Sequence, residues 1–190
     1  MIPPFMQNGT LPPIRPGKAG HDGDRAPYRV TSSAFIDNFA YSPERKNILH
    51  GFLEYRKALY SLGIVAGFQW IDGSFTEDIE MLENRSPNDV DVVTICNLPN
   101  EVTQQSLYNQ NPDMFIHQKV KENYNVDSYF IFCGYNCSPN LLIKQATYWY
   151  SMWSHRRNGL WKGYLEIPLN NDDDHNAEQL LNSLCTGGDR

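Results

Sequence analysis

The sequence predicts an α+β domain in which a small mixed sheet is flanked by helices and an extended N-terminal arm comes first. Three observations predict it. Val90-Asp91-Val92-Val93-Thr94-Ile95 has the β-branched content of a covered strand. Ser42-Pro43-Glu44 opens a segment whose apolar residues recur every three or four positions. Residues 1–27 hold Pro3, Pro4, Pro12, Pro13, Pro16 and Pro27 with Gly9, Gly17, Gly20 and Gly23, a composition that resists both helix and central strand. A chain of 190 residues with 41% hydrophobic content supports one core rather than two. The expected division is an arm over 1–27 and a domain over 28–190.

The elements follow in order. Phe5, Leu11 and Ile14 give the arm apolar anchors with which to wrap over the core, while the polar stretch 21–25 is expected to move. Ser42 caps a helix, Pro43 suits its first position and Glu44 favours the positive end of its dipole. Ile48, Leu49, Phe52, Tyr55, Leu59 and Leu62 form its buried stripe, and Gly63 stops it. Residues 68–71 read as a short strand, 90–95 as a second and 126–132 as a third. Ser138-Pro139 repeats the cap-then-proline signal before an aromatic helix over 141–153 that closes near Gly159. Most of Tyr148, Trp149, Tyr150, Met152 and Trp153 are expected in the core, with one or two left for a partner or a base. Residues 160–169 read as a strand. The acids 172–174 read as a solvated cap on a last helix over 177–184. His117 and His175 show no partner.

A net charge of −6 argues against a duplex nucleic-acid binder, which carries a basic face, and leaves room for a local groove. Cys96, Cys133, Cys137 and Cys185 are too few and too scattered for a disulfide framework. The Cys133-x3-Cys137 pair lacks the further ligands that structural zinc requires. No run approaches 18 apolar residues and the start has no signal-peptide pattern, so the expected place is the cytoplasm, away from membranes.

Asp89 and Asp91 are two apart, so on a strand both face one side, about 7 Å from each other along the chain. Two such carboxylates resist joint ionisation unless a hard divalent cation sits between them. Magnesium is the expected ion, with manganese as its substitute. A two-metal site needs a third acid; Asp127, at the head of the third strand, is the choice, with Asp113 in reserve. Upstream, Gly73-Ser74 ends a strand in a turn where a missing Cβ lets the backbone approach a phosphate. Singly, each pattern also describes an ordinary turn or a solvated edge. In one run they describe a site.

Gly73-Ser74, the fourteen residues 75–88, Asp89-x-Asp91 on an apolar strand and a distal acid resemble, in order and context, the polymerase-beta nucleotidyltransferase superfamily. Its minimal members from prokaryotic toxin–antitoxin and defence loci look nearest in size, and Asn88-Asp89-Val90-Asp91 is similar to their wording. Asn8-Gly9-Thr10-Leu11-Pro12-Pro13 and Trp161-Lys162-Gly163 also look like a prokaryotic family bearing this core. The motif likeness spans residues 64–132. The resemblance implies that Gly73 and Ser74 hold a nucleoside triphosphate, that Asp89 and Asp91 bind both metals, and that Asp127 completes the second site and helps deprotonate the acceptor. Lys144, Arg156, Arg157 and Lys162 are the cations available to neutralise the triphosphate. It implies magnesium-dependent transfer of a nucleoside monophosphate to a protein or RNA acceptor, in a toxin–antitoxin or anti-phage setting. The alternative is an inactive fold acting as a protein-binding antitoxin or defence-complex subunit.

Overall fold

A computed structural model describes residues 1–134 and 137–186. In chain order its elements are β1 (Tyr28–Arg29), α1 (Ser32–Phe39), α2 (Pro43–Ser61), β2 (Gly67–Asp72), α3 (Ile79–Glu83), β3 (Val90–Asn97), α4 (Gln104–Gln110), α5 (His117–Tyr124), β4 (Val126–Cys133), α6 (Pro139–Trp153), β5 (Leu165–Pro168) and α7 (Asn171–Thr186). The strands form one mixed sheet in the order β1-β5-β2-β3-β4, flanked by helices, which is the α+β arrangement expected. β2 is antiparallel to both β3 and β5, whereas β3 and β4 run parallel.

Alternation along β3 divides the core in two. Val90, Val92 and Cys96 face a cluster built with α1, α2, α5 and α7, while Val93 and Ile95 face Trp149 and Trp153 of α6. Leu107 of α4 joins the first cluster, and α6 is the helix of the second. α2 starts as its sequence dictates: the Ser42 side chain accepts from the Arg45 N–H, and Pro43 occupies the first turn. Ile48, Leu49, Phe52, Tyr55 and Leu59 are buried along it, and Gly63, at φ 79°, ends it.

Two arginines share that stripe, against expectation for charged residues. Arg45 and Arg56 are fully buried. Arg45 pairs with Glu80 at 2.7 Å and donates to the carbonyls of Phe75 and Glu77, both at 2.7 Å, so that α2 clamps the turn that follows β2. Arg56 pairs with Asp174 at 2.7 Å and donates to Gln69 Oε1 at 2.6 Å and the Pro168 carbonyl at 2.7 Å. A guanidinium carries several donors in a rigid fork, and burial is tolerable only when they find acceptors.

Several sequence expectations are corrected. The acids 172–174 stand at the N-terminal end of the last helix as expected, with Asp172 exposed, but α7 begins at Asn171 rather than 177 and Asp174 is buried on Arg56 rather than solvated. The strand expected over 160–169 is a strand only at Leu165–Pro168, with Trp161 in an isolated bridge to His155. Ahead of it the arm takes the backbone groups, for the Gly163 N–H donates to the Leu11 carbonyl at 2.8 Å. A Cβ on Gly163 would lie 2.4 Å from the Pro12 carbonyl oxygen. The aromatic helix starts at Pro139 and ends at Trp153, well before Gly159, and buries only Trp149 and Trp153. Tyr148, Tyr150 and Met152 are exposed.

The arm packs rather than trails. Ile2 and Leu11 are buried, Thr10 bridges Glu77, and the Asp78 N–H donates to the Gly9 carbonyl. The four cysteines are free thiols. Among the described residues no helix is long and apolar enough to cross a membrane.

Candidate functional site

The site is assembled by strand register. Asp72, the last residue of β2, lies opposite Asp91 on β3, and Asp91 lies beside Asp127 on β4. Neighbouring strands stand about 4.8 Å apart, and partners in register share a face. Three carboxyls therefore stand in a row across three strands, on the face beneath α6. Asp89 precedes Asp91 by two residues and adds a fourth acid on the same side. A cleft of about 850 Å³ opens over them, lined by Gly73, Ser74, Tyr129 and the residues that follow α6.

Gly73 makes the arrangement possible. Its φ is 82°, in the region that favours glycine, and a Cβ there would lie 1.7 Å from Oδ2 of Asp91. The turn of Ser74–Thr76 then folds back, and Thr76 Oγ1 donates to Asp72 Oδ1 at 3.2 Å. Burial, aided by the neighbouring carboxylates Asp89, Asp72 and Asp127, pushes the Asp91 carboxyl up to about 7. Burial also raises Asp72, to about 6, although Lys162 opposes the shift. Asp91 has no ion-pair partner among the described residues, whereas Asp72 and Asp89 each have one.

The sequence-derived cations separate here. Lys162 is buried, with Nζ 3.0 Å from Asp72 and 2.8 Å from Glu77, so it belongs to the floor and is not free to meet a triphosphate. Burial works against its charge, but Asp72 and Glu77 outweigh that and raise its pKa. Arg156 lines the cleft yet is engaged by Glu77 at 3.1 Å and Glu83 at 2.9 Å. Lys144 is exposed on α6 and does not line the cleft, which corrects its assignment to the site. Asp113, the reserve acid, is exposed in the 3-10 turn Pro112–Phe115 and also lies outside. Arg157 lines the cleft, is exposed, and has no ion pair among the described residues.

Sequence reasoning missed Asp72, Glu77 and Lys121. Asp72 stood in plain view before Gly73-Ser74, but only the pairing of β2 with β3 places it against Asp91. Lys121 ion-pairs with Asp89 from the last turn of α5, a helix the sequence did not announce. His117 has partners after all: its ring centroid is 4.3 Å from that of Tyr129, and Nδ1 is 3.8 Å from Asp127.

Among the described residues, no three His, Cys, Asp or Glu side chains converge as a finished metal cage. The donors are hard carboxylate oxygens, which suit magnesium. That ion is commonly held by one or two carboxylates plus substrate phosphates rather than by an all-protein shell. Asp91 with Asp127 would provide such a partial set, and Asp89 would add to it only on release from Lys121.

The fold and cleft define an α+β protein with an acid-floored site at one end of its sheet. The chain belongs to the family of unknown function DUF6932, which matches residues 3–168. That span takes in the arm, all five strands and the cleft, and stops before α7. No curated protein and no solved structure matches the chain significantly.

Proposed function

We propose that this cleft performs nucleotidyl transfer on a polymerase-beta-like core, moving a nucleoside monophosphate from a nucleoside triphosphate to an acceptor on protein or RNA. The observation that carries the reading is Asp91: a carboxyl placed between Asp72 and Asp127, without an ion-pair partner, against a glycine turn with no room for a side chain. Such a carboxylate requires a proton or a cation.

Asp89, Asp91 and Asp127 would hold magnesium, or manganese in its place. The chemistry it supplies when bound is neutralisation of charge on the phosphates and on the attacking oxygen. The Ser74 hydroxyl meets the phosphates at the cleft wall, and Arg157 pairs with them. Asp127 accepts the acceptor proton. The acceptor oxygen bonds to the α-phosphorus, the bond from that phosphorus to the bridging oxygen breaks, and pyrophosphate leaves. Positioning does most of the work in such a transfer. The net charge of −6 favours a protein side chain or a short single-stranded RNA end over a duplex. The likeness to minimal nucleotidyltransferases suggests a toxin–antitoxin or defence setting in the cytoplasm.

A second reading rests on Lys121 and Lys162. They neutralise Asp89 and Asp72, as they would in an inactive fold that binds a protein partner through this surface. Incubation with each labelled nucleoside triphosphate, magnesium or manganese and candidate acceptors separates the two. Transfer is expected from the wild type and not from the double variant Asp89→Ala, Asp91→Ala. Transfer surviving in that variant would refute the site, and metal-dependent nucleotide binding without transfer would favour the second reading.

A further inference from the structure

Among the described residues two lysines line the cleft, and they are held differently. Lys162 is buried between Asp72 and Glu77, 3.0 and 2.8 Å away. Lys121 ion-pairs with Asp89 alone among the described residues, and its side chain is 47% exposed against 13% for that of Asp89. The backbone beneath it is fixed. Val120 is buried, the Asn125 N–H donates to the Lys121 carbonyl at 3.0 Å, and the Val90 N–H donates to the Asn125 carbonyl at 3.1 Å. The end of α5 is thus tied to β3 one residue from Asp89, and only the flexible stem of Lys121 is left to move.

His117 and Lys121 stand four apart on one face of α5 and reach the two ends of the acid set. His117 Nδ1 is 3.8 Å from Asp127, and the Lys121 ammonium rests on Asp89. The bond to Asp89, with the charges of Asp127 and Asp91 adding to it, raises the Lys121 pKa, so the side chain stays charged. A divalent cation that used Asp89 would meet this ammonium first, and two cations on one carboxylate repel each other. Magnesium bound by few carboxylates is completed by substrate phosphates. A lysine ammonium is a compact point charge suited to phosphate.

We infer that Lys121 is a phosphate-binding residue held in reserve, its ammonium resting on Asp89 in the metal-free protein and passing to the triphosphate once a divalent cation claims that carboxylate. This role rests on nucleotidyl transfer as the reaction of the cleft. The contrary case is a permanent bridge between α5 and β3, which an inactive fold would keep. With the hand-over, metal and triphosphate favour each other's binding. Metal alone leaves the ammonium without a partner, and triphosphate alone meets an acidic floor.

The test uses the full chain, manganese, and nucleoside triphosphate analogues with a methylene between the α and β phosphorus, which cannot release pyrophosphate. Lys121→Met removes the resident charge and keeps an apolar stem. Without nucleotide it is expected to lower the manganese dissociation constant about tenfold, because a competing cation is gone. At saturating manganese it is expected to raise the analogue dissociation constant about tenfold, because a phosphate contact is gone. A residue that merely holds α5 in place would not shift the two affinities in opposite directions. Lys119→Met removes the same charge from α5 outside the cleft, where Lys119 pairs with Glu122, and is expected to change neither. In the wild type, pulsed acetylation read by mass spectrometry is expected to find Lys121 slow to react without metal, faster with manganese alone, and slow again with manganese and analogue. Cooperative melting shows that both variants fold, and the wild-type labelling decides the matter without them. Unchanged manganese affinity in Lys121→Met, unchanged analogue affinity, equal effects of Lys119→Met, or labelling alike in all three states would each overturn the hand-over while leaving nucleotidyl transfer standing. A wild type that binds manganese but none of the analogues would overturn both.

Discussion

A Cβ built on Gly73 falls 1.7 Å from Oδ2 of Asp91, so the turn and the central carboxylate occupy a space that admits one or the other and no side chain besides. Gly73→Ala is therefore expected to move Asp91 and to strain a backbone at φ 82°. The expected cost is about 1–3 kcal/mol of stability, together with loss of metal-dependent nucleotide binding. Calorimetric titration and urea denaturation on the same variant measure both.

Asp91 and Asp72 have folded-state pKa values raised to about 7 and about 6, against about 3.9 in an unfolded chain. The stability contributed by their protonated forms is fully present below pH ~4 and is lost as pH rises through ~6 and then ~7. The melting temperature of metal-free protein is expected to fall between about pH 4 and about pH 7 and to level off above that. Asp91→Asn should flatten that fall and be about 1–3 kcal/mol more stable than wild type at about pH 8. Magnesium with nucleoside triphosphate should raise the wild-type melting temperature there and leave Asp91→Asn unmoved. A steeper fall in the variant would contradict the role given to Asp91.

Lys162 is enclosed by Asp72 and Glu77. Lys162→Met removes the cation and leaves two buried carboxylates facing each other, which is expected to destabilise the fold by about 3–5 kcal/mol. The loss should be largest at neutral pH and shrink in acid, where the carboxyls take up protons. Denaturation midpoints at two pH values check it.

Arg157 reaches the cleft without an ion pair among the described residues. Arg157→Ala is expected to weaken nucleoside triphosphate binding about tenfold or more, as loss of a charged hydrogen bond does, while unfolding stability stays within about 0.5 kcal/mol. Equal affinity in variant and wild type would remove Arg157 from the phosphate path. Lys144→Ala serves as the control and is expected to change neither.

Asp174 closes the buried guanidinium of Arg56. Asp174→Asn keeps the shape and removes the charge, with an expected loss of about 3–5 kcal/mol and little change in the denaturant slope.

What could be read in advance divides by the range of the cause. α2 was legible because Ser42, Pro43 and the apolar stripe act within a few residues of one another, and β3 was legible because Val90–Asn97 is dense in β-branched side chains. Gly73, Asp89, Asp91 and Asp127 could be grouped because a glycine turn, a same-face acid pair and a further acid at a strand's head all lie within one stretch of the chain. Asp72 could not, since its role depends on lying opposite Asp91 across the sheet. The cations failed for a related reason. Lys162 and Arg156 look available in a sequence, and only the fold shows that Glu77 already engages both. Residues 98–125 gave no periodic signal, so α4 and α5, with Lys121, went unread.

The carboxylate that neutralises Arg56 lies 118 positions further along the chain. Gln69, Tyr60 and the Pro168 carbonyl accept from the same guanidinium, but only Asp174 brings it a negative charge. Closing the large core beneath the sheet thus draws on both ends of the chain, for the stripe of α2 has no carboxylate for Arg56 until α7 packs on it.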